Sequence, residues 1–468
     1  MKKIILFAAG ILSITAADAQ VSFRKMQNMI PRSQDGLNIF DVRKDNVEFD
    51  GLSIDLGGAF AMQFQALNSF NDQKEGTYTA SNGADISGSA GTSGYRLNNL
   101  GNNFNLPAAN LTVGAQLADG VRVNLDIYLS SRHHNETWVK GGYLQIDKLD
   151  FIKKDFLADI MKYTTIKVGQ MENNYGDAHF RRTDNGNAIL NPFIEGNIMD
   201  SFETEMGMEV YYNREGLVSM IGITNGKLNQ GVAEFITSTP TESAPDPNTT
   251  VSPTILAKLG YDKQLNKDLR VRITGSYNHN ANMSANPWGS DRAGSRYFGV
   301  MSHQAYAYDG TPNANNFDPA SNATTGRFSP GYANWYTAFM INPFVKYKGL
   351  EFFGTLEFTQ GGDKKGTDES RNVNQYAADL VYRFGNTEQF YIGGRYNIVS
   401  GNIASQPDKV NVNRFESSLG WYMTKNIITK LAYTNQNYSD YSQYGGSSLN
   451  DLYGGNFNGV MFEAAITF

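Results

Sequence analysis

The chain has 468 residues, a formal net charge of −6, no cysteine, 26 tyrosines, 28 phenylalanines and 47 glycines, with a mean hydropathy of −0.42. A chain this long without cysteine is not a small disulfide-stapled domain and must draw its stability from a large sheet or core, and nothing in its charge points to nucleic acid as a partner. Polar on average yet dense in rings, it suits a lipid-facing β-barrel, where one side of each strand is apolar and aromatic girdles sit at both interfaces; a secreted β-sandwich or β-helix gives a similar composition.

The first residues, MKKIILFAAGILSITAADAQ, carry two lysines, an apolar run from Ile4 to Ala17, and small residues Ala17 and Ala19 ahead of Gln20. This reads as a secretory signal over 1–19, since a spanning helix needs ~20 apolar residues. Residues 20–50 are expected to form a periplasmic lead-in. Arg32, Asp35, Arg43 and Lys44 favour a solvated segment over a plug, and two extra strands around VEFDGLSIDL are the alternative.

Residues 51–468 read as a barrel. Two-residue alternation places strands at 54–69, 107–117, 121–131, 137–147, 163–170, 203–212, 216–225, 252–262, 268–279, 336–347, 350–361, 372–384, 387–399, 411–422, 427–438 and 456–468, sixteen in all. In RVNLDIYL, Val121, Val123, Leu125, Ile127 and Leu129 share one face, and Arg122, Asn124, Asp126 and Tyr128 the other. Leu269, Val271 and Ile273 likewise oppose Arg270 and Arg272; Phe352, Leu356 and Phe358 oppose Thr355, Glu357 and Thr359; Phe390, Ile392, Tyr396 and Ile398 oppose Tyr391, Arg395 and Asn397. Charges of both signs on the second face imply a polar lumen.

Short turns near 118–120, 213–216, 266–268, 348–349, 385–387 and 424–426 alternate with long loops near 71–106, 171–202, 226–251, 280–335, 362–371, 400–410 and 439–455. Short periplasmic turns and long extracellular loops are the pattern of outer-membrane barrels. A further hairpin within 280–335 would raise the count to eighteen; a folded external loop is preferred there because no short turn matches the others. The closing strand ends on Phe468, an interface aromatic, beside the first strand, because a barrel in hydrocarbon leaves no open edge.

The polar phase of the strands predicts Arg122, Asp126, Lys167, Arg270, Arg272, Glu357, Arg383 and Arg395 as lumen-lining. With its export signal, final strand and the stretch TIKVGQMENNYG at 165–176, the chain resembles the sixteen-stranded porins of Bacteroidota and, more broadly, the phosphate-selective porin O/P group. Ile166, Val168, Gly169, Gln170 and Gly176 match that group's strand-to-loop motif, although Asn173 and Asn174 stand where prolines are common. No lysine cluster like that group's anion sites is present, so phosphate selectivity is not carried over.

The resemblance implies that 171–202, after the fifth strand, folds inward as a constriction loop. Its charges Glu172, Asp177, His179, Arg181, Arg182, Asp184 and Glu195 are candidate constriction residues, with Ile189, Leu190, Phe193 and Ile194 available to pack it against the wall. Lining charges and pore width set selectivity, and arginines facing a carboxylate-bearing loop would set a transverse field. The resemblance also implies a homotrimer.

The expected function is passive diffusion of small hydrophilic solutes or ions through a water-filled lumen in the outer membrane, with lipid around the barrel. A barrel whose Tyr- and Asn-rich loops bind glycans or another protein, and a plugged substrate-specific transporter, are the alternatives. No enzyme is expected, because no GxSxG elbow occurs and His133 and His303 lie near serines only in sequence. No cofactor is expected and no metal site is assigned: His133 and His134 point opposite ways on a strand, and no calcium-loop spacing occurs.

Overall fold

In the computed structural model, the described residues are 26–73, 97–105, 108–130, 137–182, 187–227, 252–289, 295–302, 324–362, 370–404, 406–445 and 448–468. The signal at 1–19 and Asp184 lie outside them. Sixteen strands close into one antiparallel barrel. They are β1 (Ser53–Phe70), β2 (Ala108–Ala118), β3 (Val121–Ser130), β4 (Thr137–Ile146), β5 (Thr164–Glu172), β6 (Thr204–Arg214), β7 (Leu217–Thr224), β8 (Thr254–Gln264), β9 (Leu269–Asn280), β10 (Tyr336–Tyr347), β11 (Leu350–Gly362), β12 (Ser370–Phe384), β13 (Phe390–Gly401), β14 (Val410–Thr424), β15 (Ile427–Ser439) and β16 (Asn456–Thr467).

Each strand pairs with its neighbour in sequence, and β1 closes the ring by pairing with both β2 and β16. The sixteen predicted strands agree in number and order with these sixteen, and their ends differ by a few residues; three further strands of two residues each, at 103–104, 444–445 and 448–449, belong to the long connections. Between Asn280 and Tyr336 the described residues form no strand, while 290–294 and 303–323, part of the possible extra hairpin, lie outside them. Both turns and ladder follow from alternation: on β16, Val460 and Phe462 are exposed whereas Met461, Glu463, Ala465 and Thr467 are buried.

The outer face is an apolar belt. Ile54, Leu56, Ile221, Leu259, Ile273, Leu380, Ile392, Leu419, Leu431 and Phe462 are all exposed, on a chain whose inner-facing strand residues are largely polar. At the periplasmic ends of β12–β14, Tyr382, Phe384, Phe390 and Trp421 stack side by side at centroid spacings of 6.1, 5.7 and 6.1 Å, as an interfacial girdle does. This is a transmembrane barrel of the outer-membrane type: the ring of ladders closes on itself and leaves no free edge strand toward lipid.

Phe468 sits at the seam. Its backbone exchanges hydrogen bonds with Gly58, at 3.0 and 3.1 Å, and a Cβ at Gly58 would lie 2.4 Å from the Phe468 ring. The glycine is what lets the final aromatic lie flat against the first strand.

The lead-in is packed, which corrects the solvated reading of 20–50 for the residues described. From the periplasmic end, residues 26–50 fold into the barrel mouth. Phe40 is buried, stacked on Phe353 at 5.8 Å and edge-on to Phe344 at 5.1 Å. Three of the four charges that suggested solvation are paired: Arg32 with Asp55 and Lys44 with Asp147 at the barrel mouth, and Asp35 with Lys425 at the exposed surface. No strand forms there before Ser53.

Candidate functional site: the lumen and its inserts

Three chain segments occupy the lumen. The first is 26–50. Arg270 and Arg272 on β9 donate to the backbone oxygens of Asn38 and Phe40, at 2.8 and 3.2 Å, and the Asn38 amide donates to Glu351 on β11 at 2.7 Å.

The second is the segment following β5. Asp177 lies fully buried at its start and accepts from Lys258 on β8, from Arg272 through two nitrogens and from Thr274 on β9, at 3.1, 2.8, 3.0 and 2.7 Å. Burial alone would push this carboxyl up, but Lys258 and Arg272 outweigh it and hold the group well below the usual carboxylate range. Arg182 then ties the segment's two ends, forking onto Asp200 at 2.9 Å through two nitrogens and also reaching Glu172.

Farther along, the backbone is bound by the opposite wall. Tyr422 and Tyr391 donate to the carbonyls of Ile189 and Pro192, at 2.6 and 2.9 Å. Lys430, itself paired with Glu463 at 2.7 Å, donates to Ala188. Asn397 and Gln375 accept from the amides of Ile198 and Met199. The described part of the segment therefore crosses the lumen from β5 to β15. Phe193 and Ile189 are fully buried within a cluster that includes Tyr391, Tyr422 and Ile428.

The third insert comes from the β9–β10 connection. Trp288 donates to Glu357 at 3.0 Å, Tyr297 to Glu416 at 2.6 Å, and the amide of Arg296 to Glu195 at 2.6 Å. It lies on the second insert, with Phe328 N donating to Ile198 O at 2.9 Å.

All eight wall residues predicted to line the lumen do face inward, but they divide into two groups. Arg270, Arg272, Glu357, Arg383 and Arg395 lie beneath the inserts, and the four arginines among them are paired: Arg270 and Arg272 with Asp262, Arg383 with Glu351, and Arg395 with Asp379. Arg272 also meets Asp177 of the crossing segment, whereas Arg270, Arg383 and Arg395 are compensated by carboxylates of the wall itself. Arg122, Asp126 and Lys167 instead border a cavity of about 280 Å³ left along β1–β6.

The candidate constriction residues divide in the same way. Glu172 and His179 border the cavity. Asp177, Arg181, Arg182 and Glu195 are buried anchors; Arg181 donates to Asn38 at 3.1 Å and lies 4.8 Å from the Phe353 ring centre. His179 bonds Asn174 at 2.9 Å. Burial, with Lys258 and Arg182 adding to it, holds its imidazole well below the ordinary range, so it is neutral near pH 7.

Within the cavity the wall charges are less neutralised. Lys167 lies 5.2 Å from the ring centres of both Tyr143 and Tyr211, with no carboxylate in ion-pairing range among the described residues. Asp126 accepts from Thr112 and Asn124, at 2.7 and 2.8 Å, and pairs with no base among those residues. Facing this polar wall are Ile30, Pro31, Ile39, Val42, Ile189 and Leu190 from the first two inserts. Lys258, Glu209, Glu351, Asp379, Arg414 and Lys430 are inner-face residues that the sequence reading did not name, although all lie on the buried phase of their strands.

No family model matches the chain, and no curated protein does. Among solved structures it is similar to the trimer form of OmpT, an outer membrane protein of Vibrio cholerae, at 10% identity over 90% of this chain and 100% of that one, with a TM-score of 0.47. It is similar to OprB of Pseudomonas putida at 11% identity, 89% and 94% coverage and a TM-score of 0.47. An anion-selective porin from Comamonas acidovorans matches at 10% identity, 89% and 100% coverage and a TM-score of 0.44. Likeness of this order carries no argument about what crosses the barrel or how copies assemble.

Proposed function

We propose that this protein is an outer-membrane channel through which small hydrophilic solutes or ions diffuse down their own gradients, along the β1–β6 side of the lumen. The observation that carries the reading is the cavity bordered by Arg122, Asp126 and Lys167 on the wall and by Glu172 and His179 on the crossing segment. Charges of both signs on such a narrow path give a weakly selective filter. No chemical step and no cofactor belong to this reading. The resemblance to the phosphate-selective porin O/P group of Bacteroidota supports a channel and, as in the sixteen-stranded porins of that kind, a homotrimer.

The test is single-channel conductance and reversal potential of the mature protein in a planar bilayer under a salt gradient. Stable steps support the channel, and Lys167→Gln should move the reversal potential toward cations while Asp126→Asn moves it toward anions. Inserted, folded protein that stays silent overturns the open channel.

A second reading, a plugged transporter that opens for one solute, is favoured by a specific observation: three inserts fill the lumen on the β8–β15 side, and 26–50 narrows its periplasmic mouth. Silence in salt together with uptake of a particular solute into vesicles would select it.

A further inference from the structure

The β4–β5 connection departs from the other described periplasmic turns. Those turns are short, as at 119–120, 215–216, 348–349 and 425–426, whereas this one runs from 147 to 163. Every residue from 151 to 160 is exposed. Five are large and apolar: Phe151 and Ile152 at 60%, Ile160 at 53%, Leu157 at 47% and Phe156 at 38%.

The segment is folded. Ile152, Phe156 and Ile160 donate their amides to the carbonyls three residues back, each at 3.0 Å, and Ala158–Met161 forms one helical turn. Asp155 and Leu157 take positive φ, 59° and 52°. A leucine in the left-handed region is costly, so its surroundings hold it there. At its base Met161 is buried, and Lys148 pairs with Asp119 at 2.7 Å.

Its position matches a membrane boundary. Directly at the strand ends, Tyr163 and Tyr212 meet edge to face at 6.0 Å, with Lys162 and Arg214 lying 5.5 and 5.0 Å from the Tyr163 ring centre. Aromatic rings with adjacent cations mark the headgroup level of a bilayer. Phe156, Ala158 and Met161 line a cavity beneath the barrel mouth, which Phe151, Ile152, Leu157 and Ile160 do not.

We propose that residues 151–160 form an interfacial anchor seated in the phospholipid leaflet on the periplasmic side, with Phe151, Ile152, Leu157 and Ile160 among the acyl chains and Lys153 and Lys154 at the lipid phosphates. The occupant follows from continuity, since the apolar belt of the same two strands, with Val139 and Val168 exposed on it, is already the lipid-facing surface. Interleaved lysines also suit lipid better than protein: their stems lie along apolar chains while the ammonium groups reach headgroups, whereas the core of a protein interface is depleted in Lys and Asp.

The chain has no cysteine, so single-cysteine variants can be labelled cleanly. Ile152→Cys and Leu157→Cys, with Lys267→Cys in the exposed β8–β9 turn as reference, are labelled with an environment-sensitive fluorophore and folded into phosphatidylethanolamine–phosphatidylglycerol vesicles. The anchor predicts blue-shifted emission at 152 and 157, strong quenching by spin-labelled lipid, and several-fold weaker quenching by aqueous iodide than at 267. Iodide quenching equal to the reference overturns it in favour of a solvated loop. Shielding from both quenchers overturns it in favour of a second copy or another protein. Conductance of the same vesicles is read separately, so a silent barrel with a lipid-quenched label sinks the channel and leaves the anchor standing.

Discussion

Asp177 holds the start of the crossing segment to β8 and β9, and it compensates two buried cations at once. Asp177→Asn leaves Lys258 and Arg272 short of a counter-charge and should destabilise the barrel by about 3–5 kcal/mol, read as a lowered urea midpoint in vesicles, with larger or noisier conductance steps. Its depressed pKa fixes the pH direction: the stabilisation is present above the unfolded carboxylate pKa and is lost as pH falls through the lower folded value. The crossing segment should therefore stay anchored through mild acid, where ordinary carboxylates protonate. His179 has the opposite chemistry. Because burial keeps it neutral, His179 should add no step to the reversal potential between about pH 8 and 6, and His179→Gln should leave the pH profile unchanged; a step near the ordinary histidine value that His179→Gln removes would overturn that assignment. The sequence made the inward direction of Arg272 and Arg395 legible, because strand phase determines direction. Their partners were not legible, because Asp177 and Asp379 reach them through the tertiary path of a loop and through neighbouring register.

At the scale of the element, alternation was enough to find every wall strand, since in a closed barrel each strand has one face to lipid and one to the lumen. Leu431 on β15, exposed between Leu419 and Phe462, tests the lipid face: Leu431→Arg should cost about 2–4 kcal/mol near the bilayer midplane, measured by urea unfolding in vesicles. Irregular elements were harder to read. Residues 26–50 have no period, and their docking rests on one buried ring, Phe40, on ion pairs whose partners lie far away in sequence, such as Lys44 with Asp147, and on backbone carbonyls that any sequence supplies. The knuckle at 151–160 shows neither a strand repeat nor a helix of useful length, so its exposed apolar side chains became visible only with their surroundings.

For the whole molecule, lumen width is set by inserts more than by strand number. Removing the Phe40 ring should therefore widen the periplasmic mouth without altering the wall. Phe40→Ala is expected to cost about 3–5 kcal/mol and to admit larger neutral polymers, seen as a shift in the polymer size that still lowers conductance; an unchanged cutoff in folded protein would place the narrowest point elsewhere. The proposed path and most of the buried anchors also lie on different sides of the barrel. The cavity borders β1–β6, whereas most of the buried ion pairs lie on β8–β16, so substitutions at Lys167 or Asp126 can retune passage with little effect on the ledger of anchors across the lumen.

The first insert also bears on the order of assembly. Gln34 donates its amide to the carbonyl of Lys425 at 2.7 Å, Asp35 pairs with Lys425, and Thr467 donates to the carbonyl of Arg32. The insert thus docks on the first strand, through Arg32 to Asp55, and also on the last short turn, through Gln34 and Asp35 to Lys425. Its last contacts can form only where the two ends of the ring meet, so its shielding from protease becomes a clock that reads out when the seam has shut.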